Sequence, residues 1–465
     1  MFRVPIVAAV SFATGAALLL SAGPSLAQTT SPGLLADVLG AGDALRVSGS
    51  VRARYEAIDG QVRPGFEAES DLVNLRTTVF AEYDFGGLRV GGELYDSRAY
   101  GGDVRTPIST NEVNTAELVQ AYVAADWSAP LGAGTRASVQ AGRFLMNLGS
   151  RRLVAADDYR NTTNSYTGVR ADLTARDGVK ATAFYVLPQV RLPDGLPSVL
   201  DNRTRTDRES DDLVLFGGLV SKANAFAGMT VEGTYVRLEE QDAPGRPTRN
   251  RSLDTYGARL IRDPKPGALD GEVEVLRQTG SIRSGLGPSD RVLDVSAEFV
   301  HADVGYSFRS AWAPHVVAEF DYASGDDGAA SYGRFDTLFG MRRADFAPAG
   351  LYNAVSRSNL VSPGLRLEVT PNRRWDAFVS GRLMWLASDV DSFATTGVRD
   401  PLGRSGDDAG GQIDGRVRWW VVPDRLRFEA DGVWLSKGSF LRDAPNAPAS
   451  GDASRYVSLN LTAYF

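Results

Sequence analysis

Nine arginines in this 465-residue chain are spaced so that they could act together on one kind of solute. They are Arg52, Arg54, Arg76, Arg143, Arg170, Arg366, Arg382, Arg416 and Arg418. Arg52 and Arg54, and again Arg416 and Arg418, are two residues apart, the interval at which side chains of a β-strand leave by the same face. A guanidinium stays charged, and its planar fork grips a carboxylate through two hydrogen bonds. Repeated along one surface, such groups make a series of weak anion sites. The competing reading is a wall residue neutralised by a neighbour, and Glu56, Glu82, Asp172 and Glu368 are placed for that.

Other chemistry has little to work with. The chain has no Cys and two His, which excludes disulfides, thiolate metal sites and histidine-rich metal centres; no metal site and no cofactor is expected. His301 and His315 fall on the polar side of alternating segments and read as packing residues. For an enzyme, His315 with Asp321 or Glu319 is the best available acid–base set, and neither a nucleophile elbow nor a His-x-x-x-His spacing accompanies it. Asp326 and Asp327 lie in Ser324-Gly325-Asp326-Asp327-Gly328, which lacks the spacing of a calcium loop and reads as a solvated turn. The segment from Arg203 to Arg208 reads as a mobile loop that draws anions toward a mouth. A net charge of -7 argues against a nucleic-acid partner.

The elements that position these residues are strands. From Val47 to Ala57 the odd positions are Val, Gly, Val, Ala, Tyr and Ala, and the even ones Ser, Ser, Arg, Arg and Glu. That alternation marks a strand with one dry face and one wet face. It recurs at Val73 to Phe85, with Phe80 an exception, and at Leu88 to Asp96, Leu118 to Trp127, Val169 to Arg176, Val179 to Leu187 and Val295 to Phe299. Further runs are His315 to Tyr322, Leu365 to Thr370, Asp376 to Trp385, Gln412 to Val421 and Leu426 to Asp431. Short Gly/Asn/Pro turns such as Phe85-Gly86-Gly87 contrast with long polar connections at Val190 to Asp212 and Ser324 to Ser362. Aromatic residues near strand ends, Tyr83/Phe85, Trp127, Trp375, Trp385 and Trp419/Trp420, would suit interfacial girdles.

The two ends agree with a membrane barrel. Arg3, an apolar run from Val4 to Leu20 and the triplet Ser25-Leu26-Ala27 read as a secretory signal peptide over 1–27. Beyond Gln28, charges interrupt every apolar stretch before it reaches the roughly 20 residues of a spanning helix. The last strand alternates to Phe465, resembling the assembly signal of outer-membrane proteins. The expected organisation is a leader, a short segment over 28–46 and an all-β transmembrane antiparallel barrel over 47–465, with long extracellular loops and short periplasmic turns.

Particular stretches carry a family resemblance. Gly142-Arg143-Phe144, Leu148-Gly149-Ser150-Arg151-Arg152-Leu153-Val154, Asn161-Thr162 and Gly168-Val169-Arg170 resemble the signature region of the alginate export family of outer-membrane proteins. Asn74-Leu75-Arg76-Thr77 and Gly364-Leu365-Arg366-Leu367 are similar to other strands of that family. The resemblance implies a monomeric barrel of about eighteen strands, with an Arg-lined lumen that passes an anionic polysaccharide or oligosaccharide such as alginate. Outer-membrane lipid and, through Phe465, the barrel-assembly machinery are the other implied partners. Alternation through Ala137, Val139 and Ala141 would aim Arg143 outward, where a charge facing mid-bilayer costs ~2 to 4 kcal/mol. The expectation is that a bulge near Gly142 turns it into the lumen. The alternatives are a barrel enzyme acting on lipid or glycan, and a closed structural or adhesive barrel whose interior charges cancel.

Overall fold

A computed structural model describes residues 44–465 except Ala329, Arg343 and Ala344. The expected leader and nearly all of segment 28–46 lie outside the described residues. The strands run in chain order as β1 (Leu45–Asp59), β2 (Glu69–Asp84), β3 (Leu88–Tyr100), β4 (Asn114–Ser128), β5 (Arg136–Phe144) and β6 (Tyr166–Thr174). Then come β7 (Val179–Pro188), β8 (Leu213–Phe226), β9 (Met229–Glu240), β10 (Ser252–Arg262), β11 (Leu269–Arg283) and β12 (Val292–Ser307). The rest are β13 (His315–Ala323), β14 (Leu360–Asn372), β15 (Trp375–Trp385), β16 (Asp408–Val422), β17 (Leu426–Lys437) and β18 (Ala453–Tyr464). Each pairs antiparallel with its chain neighbours, and β1 pairs with β18, so eighteen strands form one closed sheet. Closure leaves no unpaired edge to face hydrocarbon.

The seam is shut at its very end. Gly49 and Phe465 exchange two backbone hydrogen bonds, at 2.8 and 3.1 Å. Alternation sorts the faces as the sequence predicts: Val73, Leu75 and Val79 are exposed on the outside of β2, whereas Leu72, Asn74 and Thr78 are buried within. Phe80, the exception to the alternation, faces inward and packs against the interior cluster. The strands least legible beforehand are β8 to β11. Gly217 interrupts the inward face of β8 and Gly218 its outward apolar face, and the outward faces of β9 to β11 carry Arg237, Asp254 and Arg277, so the two-residue period fades there.

Connections differ sharply by side. Those after even-numbered strands are short: 85–87, 175–178, 227–228, 373–374 and 423–425. The first of these is fixed by Asp84, whose Oδ1 accepts the N–H groups of Gly86 and Gly87 at 2.8 and 2.9 Å, both glycines having positive φ. Connections after odd-numbered strands are long, above all 145–165, 189–212, 324–359 and 386–407. Two of them, 145–165 and 324–359, enter the barrel and touch through a parallel bridge between Val154 and Phe339. The apolar cluster of the molecule therefore sits inside the long-loop half, where Phe144, Val154, Tyr166, Phe335, Leu351 and Tyr352 are buried. Among the described residues no helix is long and apolar enough to cross a membrane.

Several of the aromatics expected for a girdle pair near the short turns: Tyr83 is tilted against Phe85 at 4.5 Å between centroids, and Trp375 lies parallel to Trp419 at 5.3 Å. Trp420 departs from the expected girdle. It shares parity with Arg416 and Arg418 and packs 5.5 Å from Tyr464, inside the wall.

Candidate functional site

Strand parity sends eight of the nine arginines inward, and their level along the barrel divides their work. Toward the long-loop side they hold loops. Arg52 on β1 donates to the carbonyls of Tyr159 at 3.2 Å and Arg160 at 2.8 Å. Arg54 donates to the Tyr159 carbonyl at 2.7 Å and lies 4.1 Å over the Tyr159 ring. Arg76, opposite Arg52 on β2, reaches the carbonyls of Asp158 and Arg160 at 3.2 and 3.1 Å. Three strand guanidiniums thus clasp residues 158–160 of the β5–β6 loop. Arg382 on β15 does the same for the β13–β14 loop, donating to the Asp345 carbonyl at 2.6 Å while pairing with Glu319 and Asp321.

At the junction of the two loops is a cluster that sequence spacing did not single out. Arg152 pairs with Asp345 at 2.8 Å, with Glu274 at 2.6 Å and with Glu272. Arg357 pairs with the same Asp345 and donates to the Met341 carbonyl at 2.7 Å. Burial by itself would raise the Asp345 carboxyl, but the charges of Arg152 and then Arg357 hold it well below the ordinary range. Arg152 lay in a family motif, so the residue was visible; its partners, more than a hundred positions away, were not.

Toward the short-turn side the arginines stay on the wall. Arg170 pairs with Asp172, donating to Oδ1 at 2.9 Å. Arg366 pairs with Glu368 at 2.7 Å and lies 3.8 Å from the Phe378 ring centroid, with Arg416 at 5.1 Å from the same ring. Arg416 and Arg418 share Asp376, at 3.2 and 2.8 Å. Arg427, on the same face of β17 as buried Glu429 and Asp431, lies 5.6 Å from both Trp420 and Tyr464. Arg427, Phe378, Trp420 and Tyr464 complete a cation–aromatic strip on β14 to β18. Parity alone would have found Arg427; the ring contacts needed the barrel's curvature. Of the four carboxylates expected to neutralise arginines, Asp172 and Glu368 do so, and Glu56 lies 3.5 Å from Arg54. Glu82 instead takes Arg46 and Arg89, at 3.0 and 2.8 Å.

Two expectations are corrected. Arg143 does not enter the lumen: the pairing of β4 with β5 runs unbroken through Gly142, so Arg143 shares the outer face with exposed Val139 and Ala141. It is accommodated there because the β7–β8 loop folds over it, and Glu117 at 2.6 Å and Glu209 at 3.4 Å neutralise it. His315 does not meet Asp321 or Glu319. Its Nε2 and Nδ1 face Asp270 at 2.9 Å and Glu368 at 3.3 Å, while Asp321 serves His301 at 2.8 Å and Arg382. In the segment 203–208, Arg203 and Arg208 pair with Asp201 and Asp212, Thr204 bonds Thr115 at 3.1 Å, and Arg205 is exposed. Asp326 is tied into its loop, accepting from Gly333 N–H at 3.2 Å. Among the described residues no group of three or more His, Cys, Asp or Glu side chains is arranged to hold a metal.

A closed antiparallel eighteen-strand wall has counterparts among known proteins. The alginate export family model matches residues 43–452. The chain belongs to that family. No curated protein sequence gives a significant match to this family member. Its solved neighbours include outer-membrane porins of Pseudomonas aeruginosa. OpdO is 13% identical with a TM-score of 0.55, over 91% of this chain and 97% of that one. OpdK is 10% identical with a TM-score of 0.56, over 91% and 98%. OccK2 in complex with glucuronate is 14% identical with a TM-score of 0.54, over 90% and 98%. At such identity these share the fold, an eighteen-strand outer-membrane barrel of porin type. This alginate export barrel is therefore an outer-membrane, porin-like protein.

Proposed function

We propose that this barrel is a passive channel for an anionic polysaccharide or oligosaccharide such as alginate. The observation that carries the reading is the strip on β14 to β18, where Arg366, Arg416, Arg418 and Arg427 pair with Glu368, Asp376 and Glu429, and where Arg366, Arg416 and Arg427 lie against aromatic rings. Guanidiniums that stay partly exposed and are already held by carboxylates give a wall to which a passing carboxylate can bind and exchange. Movement requires several sites of modest strength, each able to replace part of the solute's hydration and then let go. Membership of the alginate export family supports the polyuronate. In the same reading the leader is removed after Ala27, the barrel works as a monomer surrounded by outer-membrane lipid, and Phe465 is its handle for the assembly machinery.

The inward-folded loops favour a second reading, in which the solutes are single uronates or short oligouronates. Residues 158–160 and Asp345 are clasped from the wall at several points, and a long polymer would have to part those contacts. Glucuronate bound to OccK2, a barrel of the same fold, supports this version. Planar-bilayer recording tests both: anion-selective reversal potentials and current block by oligouronates are expected, with long chains blocking only if polymer passes. Cation selectivity without any block by uronates defeats the proposal.

A further inference from the structure

The long-loop mouth holds a cavity of about 480 Å³ between the β9–β12 wall and the β13–β14 loop. Its volume lies within the roughly 300–1,000 Å³ of small-molecule sites. The floor is apolar, made by buried Leu253, Ile282, Val295 and Phe335. The cations around it are not equivalent. Arg251 is paired with Glu240 and, at 2.7 Å, with Asp336, and Arg334 is paired with Asp391 at 2.7 Å. Arg249 is different. Its Nε donates to the Arg283 carbonyl at 2.7 Å, its Nη1 to the Tyr332 hydroxyl at 3.1 Å, and its guanidinium lies 4.6 Å from the Tyr332 ring centroid. Among the described residues no carboxylate pairs with it.

We propose that this vestibule is a binding site for one carboxylated pyranose, a uronate unit met at the mouth before or after passage; the inference rests on the channel reading above. The Arg249 guanidinium is held from two sides and stacked, so its remaining Nη2 donor is oriented for an incoming carboxylate with little rotamer entropy left to lose. The C–H face of a sugar ring meets Leu253 and Val295. Its hydroxyls meet the Thr248 and Thr337 hydroxyls and the carboxylates of Glu240 and Asp336, all of which line the cavity. A neutral hexose leaves Arg249 without its anion. An aromatic acid leaves the polar rim without partners.

The test is block of wild-type and variant barrels in planar bilayers by trigalacturonate added from the long-loop side. Galacturonate, glucose and benzoate serve as competitors. Loss of one charge-assisted contact predicts that Arg249→Ala raises the half-blocking concentration about tenfold. Arg249→Lys, which keeps charge and loses the fork, is expected to give a smaller rise. Conductance and selectivity in plain salt stay at wild-type values in both, which verifies that the barrel has folded. Galacturonate relieves block at lower concentrations than glucose or benzoate. Unchanged block in Arg249→Ala, or equal competition by benzoate, overturns the site while leaving the channel reading intact. Absence of block in the wild type as well overturns both.

Discussion

The two halves of the lumen use the same side chain for opposite ends. Near the long loops, Arg54 and Arg382 are buried to 2% and 3% exposure and spend their donors on loop carbonyls and carboxylates. Near the short turns, Arg416 and Arg418 keep 21% and 31% of their side chains exposed and share one carboxylate. A guanidinium buried without partners is costly, so the plug recruits as many acceptors as each arginine can use. On the wall near the short turns the guanidiniums keep part of their surface in solvent, so fewer protein acceptors are needed. Parity places an arginine inside; the presence or absence of a loop across from it decides what it does there.

The largest effect should come from breaking the junction of the two loops. Removing one partner of a buried ion pair costs about 3–5 kcal/mol. Asp345→Ala leaves Arg152 and Arg357 without their shared carboxylate, so residues 324–359 should become protease-sensitive and single-channel conductance should rise. Unchanged conductance and protection would show that the plug is held by its apolar cluster alone.

Next in size is the charge of the open wall. Arg416→Gln with Arg418→Gln should move reversal potentials in a salt gradient toward cations, whereas Asp376→Asn should move them toward anions. Both should leave thermal unfolding close to wild type, since these pairs are partly exposed and each contributes about 0–1 kcal/mol. Selectivity unmoved by either change would place the discriminating charges elsewhere.

A pH comparison separates two loops. Glu112, in the 101–113 connection, is pushed up to about 7 by burial and by the nearby Glu56 charge. Its stabilising contribution is therefore complete below the ordinary carboxyl range and is lost as pH rises through about 7. Asp345 is held below that range, so its contribution persists above it and fades only in stronger acid. Between pH 8 and pH 5, hydrogen-exchange protection relative to the intrinsic rate at each pH should rise over 101–113, whose Glu112 carbonyl accepts from Asn161 at 2.8 Å, and stay constant over 324–359. Glu112→Gln should abolish the change, and a parallel response of both loops would contradict the assignment.

The smallest effect is expected at the histidines. Replacing His301 and His315 together should leave ion passage and oligouronate block within twofold of wild type, because each ring sits between carboxylates on the wall. Loss of a hydrolytic activity on lipid or glycan in that double variant would revive the enzyme reading.

Much of this molecule was readable from its residues in order. Alternation from Val47 to Ala57 and from Val457 to Phe465 fixes which side chains meet lipid, because successive residues of a strand leave by opposite faces. That period also placed eight arginines inside and, followed strictly, would have placed Arg143 outside. The expectation that a bulge turned it inward gave more weight to the cost of a lipid-facing charge than to register; two carboxylates, Glu117 and Glu209, removed that cost. What the tertiary structure alone decided is which long connections turn into the barrel. Residues 145–165 and 324–359 carry no period, and their partners lie across the lumen rather than along the chain. Only the closed wall brings Arg152, Glu274, Asp345 and Arg357 together, and only then do inward-facing arginines divide into those that hold the inward loops and those that stay on the wall.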